Sequence, residues 1–166
     1  AKDNFEEILE PMKFNGSHYR KTVRDPEWKY KVDWIKNNFE EILKPMDFNG
    51  SDYSQIVTTE NWKDKLNWAK THKTVLRKLG YNGSQYTRTV INNDWEDKLD
   101  WVSGNYDSVM KAKGFNQSKT SIILRGTGWR EKVAWIENNY NPSEYTPGKI
   151  RSIMVKKDWK TVLNIE

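Results

Sequence analysis

Phe14-Asn15-Gly16-Ser17 returns as Phe48-Asn49-Gly50-Ser51, Tyr81-Asn82-Gly83-Ser84 and Phe115-Asn116-Gln117-Ser118, at steps of 34, 33 and 34 residues. A second marker, Trp-x-x-Lys-(Leu/Val)-x-Trp, keeps the same steps at Trp28/Trp34, Trp62/Trp68, Trp95/Trp101 and Trp129/Trp135. Two markers in one register decide the architecture before any local reading: short modules of this kind bury their apolar faces by stacking on their neighbours. The units read as one array: residues 1–13 (partial), 14–47, 48–80, 81–114, 115–144 and 145–166 (partial or capping). Residues 4–17 match residues 38–51 with two differences, and Trp159-Lys160-Thr161-Val162-Leu163 begins another second marker. These ends predict a piece of a longer array or a processed form. The last step, Trp129 to Trp159, is 30 residues and carries Pro142 and Pro147, as a capping unit would.

Each unit reads as two helices. Ser17, Ser51, Ser84 and Ser118 are the expected N-caps of the short ones, while Pro26, Asp94 and Asp158 suit the start of the long ones. Trp28, Val32, Ile35, Phe39, Ile42 and Met46 form a continuous stripe at helical spacing. Trp34 lies about 240° round from Trp28 at ~100° per residue. Trp34, Trp68, Trp101 and Trp135 are therefore expected in the seams between units. The predicted fold is all-α, an α-solenoid of tandem two-helix repeats of about 34 residues.

Composition agrees with aromatic seams. Hydrophobic residues are 36% and charged ones 31%, so the chain would drift toward disorder unless its nine Trp supplied the buried area. No apolar run approaches the ~18 residues of a membrane span and no segment resembles a signal peptide. A soluble protein is expected, with an intracellular location favoured. The absence of Cys removes disulfides, thiol nucleophiles and thiolate metal sites.

Enzymatic constellations are poor. His18 and His72 are the only histidines, sit at non-equivalent repeat positions and lack metal-ligand spacing. Arg125-Gly126-Thr127-Gly128 has neither the further glycine nor the lysine of a phosphate loop and reads as a tight turn. Glu40/Glu41 reads as a solvated helix face. No catalytic residue, metal or cofactor is expected. Asn-x-Ser at Asn15, Asn49, Asn82 and Asn116 reads either as turn and cap chemistry or as glycosylation acceptors.

Binding is the better prospect. The tetrapeptides before each marker tryptophan are 24–27 (Arg-Asp-Pro-Glu), 58–61 (Thr-Thr-Glu-Asn), 91–94 (Ile-Asn-Asn-Asp), 125–128 (Arg-Gly-Thr-Gly) and 155–158 (Val-Lys-Lys-Asp). They differ almost completely while their flanks repeat, and stacking would set them in a row. Just after the tryptophan come Lys29, Lys63, Glu96, Arg130 and Lys160, cationic in four of five units. The helix macrodipole prefers anions there, so an external phosphate is one explanation, and solvated cations of a Lys-rich chain are the other. The first predicts nucleic-acid binding, with Lys29, Lys63, Arg130 and Lys160 on phosphates. Charge keeps a protein-binding or structural scaffold open: residues 81–114 hold five acids against four bases and residues 1–13 four against two, so no basic strip is uninterrupted.

The period, a short helix, a variable loop pair and a basic residue near the start of a long helix together resemble the TAL effector-like DNA-binding repeats. Tyr145-Thr146-Pro147-Gly148-Lys149-Ile150 is similar to the opening of such a repeat, and Asn92-Asn93 is similar to one of its base-reading pairs. The resemblance implies a superhelix around duplex DNA, with loop pairs in the major groove and the following cation on phosphate. The implied pairs are Asp25/Pro26, Thr59/Glu60, Asn92/Asn93, Gly126/Thr127 and Lys156/Lys157. Where that family carries Gly-Gly after the pair, this chain carries another residue and Trp. Mitochondrial transcription-termination-type repeats and other short α-solenoids share much of the layout.

Overall fold

The computed structural model describes residues 5–165, and every regular element among them is helical. The chain divides into two compact units, Ala1–Thr87 and Arg88–Glu166. No helix among the described residues is long and apolar enough to cross a membrane.

In the first unit the short helices Gly16–Thr22 and Gly50–Val57 alternate with the long helices Trp28–Asn38 and Trp62–Thr71, as the two markers require. The short helices are started by asparagine. Asn15 and Asn49 stand in extended backbone, and their side chains accept from the N–H groups of His18 and Asp52 at 2.9 and 2.8 Å. His18 and Asp52 return the bond to the cap's own N–H, which closes a capping box. Asn82 and Asn116 accept in the same way from Gln85 and Lys119. This corrects the cap assignment: Ser17, Ser51, Ser84 and Ser118 already lie inside their helices, because the extended residue that ends the turn is the asparagine two positions earlier.

The glycine between cap and serine is set by the neighbouring repeat. A Cβ on Gly50 would lie 2.8 Å from Phe14 Cα, and one on Gly83 2.6 Å from Phe48 Cα. The same closeness lets Gly50 and Gly83 donate to the carbonyls of Met12 and Met46, each at 2.6 Å. Successive repeats in this unit thus touch backbone to backbone.

The apolar stripe packs as expected from Ile35 onward: Ile35, Phe39, Ile42 and Met46 are buried, while Val32 is half-buried and Trp28 is exposed. It continues past the helix end through a π turn at Phe39–Leu43. In the next repeat the long helix breaks at His72, whose ring stacks on Trp68 with centroids 4.0 Å apart, and resumes as Lys73–Leu79. Trp34 and Trp68 stack on Tyr53 and Tyr86 of the following repeat, each pair 6.2 Å apart. These two tryptophans do sit in the seam, but only half-buried. Tyr53 and Tyr86 are fully buried and donate to the carbonyls of Lys31 and Lys65, while burial holds both phenols well above their ordinary pKa.

The second unit repeats the theme with different punctuation. The long helix Trp95–Asn105 runs into a π turn at Tyr106–Met110, against which the helix Trp129–Asn139 packs. The short helices Gln117–Arg125 and Pro147–Met154 lie side by side. Tyr140 ends Trp129–Asn139 in extended backbone, packs on Phe115 and donates to the carbonyl of Tyr145 at 2.9 Å, which accommodates the shortened step. Thr120 occupies the place of Tyr53 and Tyr86, and its sealed hydroxyl finds no partner. Trp101 and Trp135 are half-buried, whereas Trp129 and Trp159 are buried.

Candidate functional site

The variable loops occupy equivalent places within each unit. In the second unit, loops 91–94, 125–128 and 155–157 line a single groove of about 910 Å³. In the first, Asp25 and Glu27 face residues 57–62 across a depression of about 450 Å³. Three of the loops have an inner and an outer member: Asp25, Thr59 and Gly126 are half-buried, while Pro26, Glu60 and Thr127 are exposed. Asn92 and Asn93 are both exposed, and Asn92 donates to the carbonyl of Arg125 at 2.8 Å. Lys156 and Lys157 are both exposed on the groove.

The inner member has a specific task. The lysine of the Trp-x-x-Lys marker is buried in four repeats, at 1% exposure for Lys31, 4% for Lys65, 2% for Lys98 and 5% for Lys132. A buried ammonium requires a hydrogen-bonding or charged partner. Lys31 is ion-paired with Asp25 and lies over the Trp62 ring, and its hydrogen bond holds the Asp25 carboxyl below the usual range. Lys65 donates to Thr59 Oγ1 at 2.9 Å, and burial lowers its pKa against a smaller opposing effect of Glu60. Opposite Lys132 the loop offers Gly126. The sequence reading missed these lysines, although their constancy inside a marker with variable neighbours was the available signal.

The last loop residue has a second task. Asn61, Asp94 and Gly128 all take left-handed backbone with φ of 58°, 62° and 70°, a region open mainly to Gly, Asn and Asp. Where that position is acidic it latches the next repeat. Glu27 accepts from Trp62 Nε1 at 2.9 Å, and Asp94 accepts from Trp129 Nε1 at 3.3 Å.

The four cations after the tryptophans have intramolecular surroundings. Lys29, Lys63, Arg130 and Lys160 each lie over their own tryptophan ring, with Arg130 closest at 4.6 Å. Lys63 pairs with Glu27 at 3.7 Å, Arg130 with Asp94 at 3.1 Å and Asp97 at 2.6 Å, and Lys160 with Glu131. These partners explain a cation at the first helical turn without an external anion. The pairs are half-exposed, worth typically ~0–1 kcal/mol, so a phosphate could exchange for a carboxylate at little cost.

No group of metal-ligating side chains occurs among the described residues. Both histidines serve locally, His18 in a cap and His72 against Trp68. No protein-family model, curated protein or solved structure matches this chain.

Proposed function

We propose that this chain is a non-enzymatic helical-repeat binding protein of solenoid form whose ligand is nucleic acid, duplex DNA in preference to single strands. The observation that carries the reading is the groove of the second unit, where three successive variable loops converge and Arg125, Lys132, Lys156 and Lys157 line the same surface. Its one acidic lining residue, Asp94, is already engaged by Arg130 and Trp129. In the proposed complex Arg130 and Lys160 of the second unit, and Lys29 and Lys63 of the first, are exchangeable phosphate contacts, with the exposed loop residues toward the bases. Affinity for random duplex DNA, followed by fluorescence anisotropy across salt concentrations, is expected to fall with a log–log slope near −0.9 per neutralised phosphate. A flat salt response, or no binding at low salt, rejects the reading.

One observation favours a second reading, a protein-binding or structural scaffold. Lys63, Arg130 and Lys160 already close ion pairs between successive repeats, so they serve cohesion without any ligand. A partner protein captured with nuclease present and salt-independent affinity would support the scaffold.

A further inference from the structure

The inner loop residue partners the buried lysine with a carboxylate at Asp25 and a hydroxyl at Thr59, but at the equivalent position of the fourth full repeat it is Gly126, which has no side chain to offer. Lys132 is only 5% exposed, yet its Nζ makes no hydrogen bond or ion pair among the described residues. It is not one of the sealed unpartnered atoms, which are Asn38 Oδ1, Thr87 Oγ1 and Thr120 Oγ1, and it lines the groove. The amine lies against the loop itself: a Cβ on Gly126 would stand 3.0 Å from Lys132 Nζ. Burial lowers the Lys132 pKa with no carboxylate acting against it. Around it stand Lys156, Lys157 and Arg125, together with Gly128, which starts the eleven-residue helix Trp129–Asn139 without a side-chain cap.

We propose that this groove is a phosphate site in which a phosphoryl oxygen, approaching beneath Gly126, supplies the Lys132 ammonium with the partner that Asp25 and Thr59 give its counterparts. Lys156 and Lys157 form the rim and add long-range attraction. A groove of about 910 Å³ admits more than a bare ion, and the phosphate belongs either to a small phosphomonoester or to a nucleic-acid backbone. The assignment rests on the nucleic-acid reading only for the second of these sources.

The test uses the full chain with isotopically labelled lysine, followed by NMR of the Lys132 side chain during titration with inorganic phosphate and, separately, with a duplex DNA oligonucleotide. Saturable movement of the Lys132 signals by phosphate is expected. Lys132→Met and Gly126→Asp should each weaken phosphate binding by roughly tenfold or more, the scale of one charged hydrogen bond. Gly126→Asp keeps the amine and installs the internal carboxylate of the first repeat, at a position whose φ of −79° suits any residue. Lys157→Met, at the rim, should weaken binding by only about threefold or less, as expected for an exposed charge.

If neither ligand moves the Lys132 signals, the site is rejected. Should the duplex bind while Lys132 stays unmoved by both, the site falls and the nucleic-acid reading stands. Should phosphate act through Lys132 with no duplex binding, the site stands with a small phosphomonoester as its ligand, and the nucleic-acid reading falls. Equal phosphate affinity in wild type, Lys132→Met and Gly126→Asp overturns the assignment.

Discussion

Lys31 in the first unit and Lys132 in the second occupy the same repeat position, and both are buried beneath a variable loop. Their surroundings are opposite: Asp25 neutralises the first, while Gly126 leaves the second amine facing a groove. The repeat keeps the buried amine as part of its module and lets the loop decide what meets it. At Lys31 the loop closes the module on itself; at Lys132 it leaves a buried cation beside a groove.

The tryptophans that open the two corresponding helices should also respond differently to substitution. Trp129 is buried and donates to Asp94, so Trp129→Ala should lose roughly 3–5 kcal/mol by chemical denaturation. Trp28 opens the equivalent helix at 40% exposure, and Trp28→Ala should lose less than about half of that. Equal losses would break the repeat-by-repeat account.

A smaller contrast comes from the glycines. Gly83→Ala pushes a methyl into the Phe48 backbone and should cost about 1–3 kcal/mol, whereas Gly16→Ala meets nothing within 4 Å and should stabilise by roughly 0.5–1 kcal/mol. Thermal melts of the two variants should move in opposite directions.

The lysines themselves should differ in sign. Lys31→Met strands Asp25 and should destabilise by about 1 kcal/mol, whereas Lys132→Met removes an unpaired buried ammonium and should stabilise by a similar amount in ligand-free protein. Burial lowers the Lys132 pKa, so the folded state holds that proton less tightly than the unfolded chain. The penalty is therefore complete below the folded pKa and disappears as pH rises toward the ordinary value of 10.5, where the advantage of Lys132→Met should vanish. Asp25 behaves oppositely: its depressed pKa stabilises above the ordinary 3.8, and that stabilisation is lost as pH falls through the folded value. Thr120→Val, which removes a sealed unpartnered hydroxyl, should change stability least, by a few tenths of a kcal/mol in the stabilising direction.

The period, the paired helices and the burial of the stripe from Ile35 to Met46 were legible in the sequence because each repeats an apolar pattern, and apolar periodicity reports a helix face directly. The seam positions of Trp34 and Trp68 were legible for the same reason. Their partial burial was not, because the depth of a ring depends on the Tyr53 and Tyr86 rings stacked against it from the next repeat. The cap was misplaced since Asn and Ser both serve that role, and only backbone geometry distinguishes them. The loops looked unconstrained because their constraints come from two sources that leave no shared letter. Left-handed backbone accepts Asn61, Asp94 or Gly128 alike, and a buried lysine is met by Asp25 in one repeat and Thr59 in another. The cations beside the tryptophans are plain in the sequence, while the carboxylates that answer them lie 33 to 36 residues earlier in the chain for Arg130 and Lys63, beyond the reach of local pattern.

The indole–carboxylate latch carries a consequence for how such a chain can be rearranged. The acceptor for the indole of Trp62 is Glu27 and that for Trp129 is Asp94, each belonging to the module before, so a module's grip on its successor is written in its own loop. A module carrying Glu27 or Asp94 brings an acceptor to the indole of its successor, whereas one whose loop ends in Gly128 brings no side-chain acceptor. The order in which such modules follow one another therefore sets which junctions carry an indole–carboxylate bond.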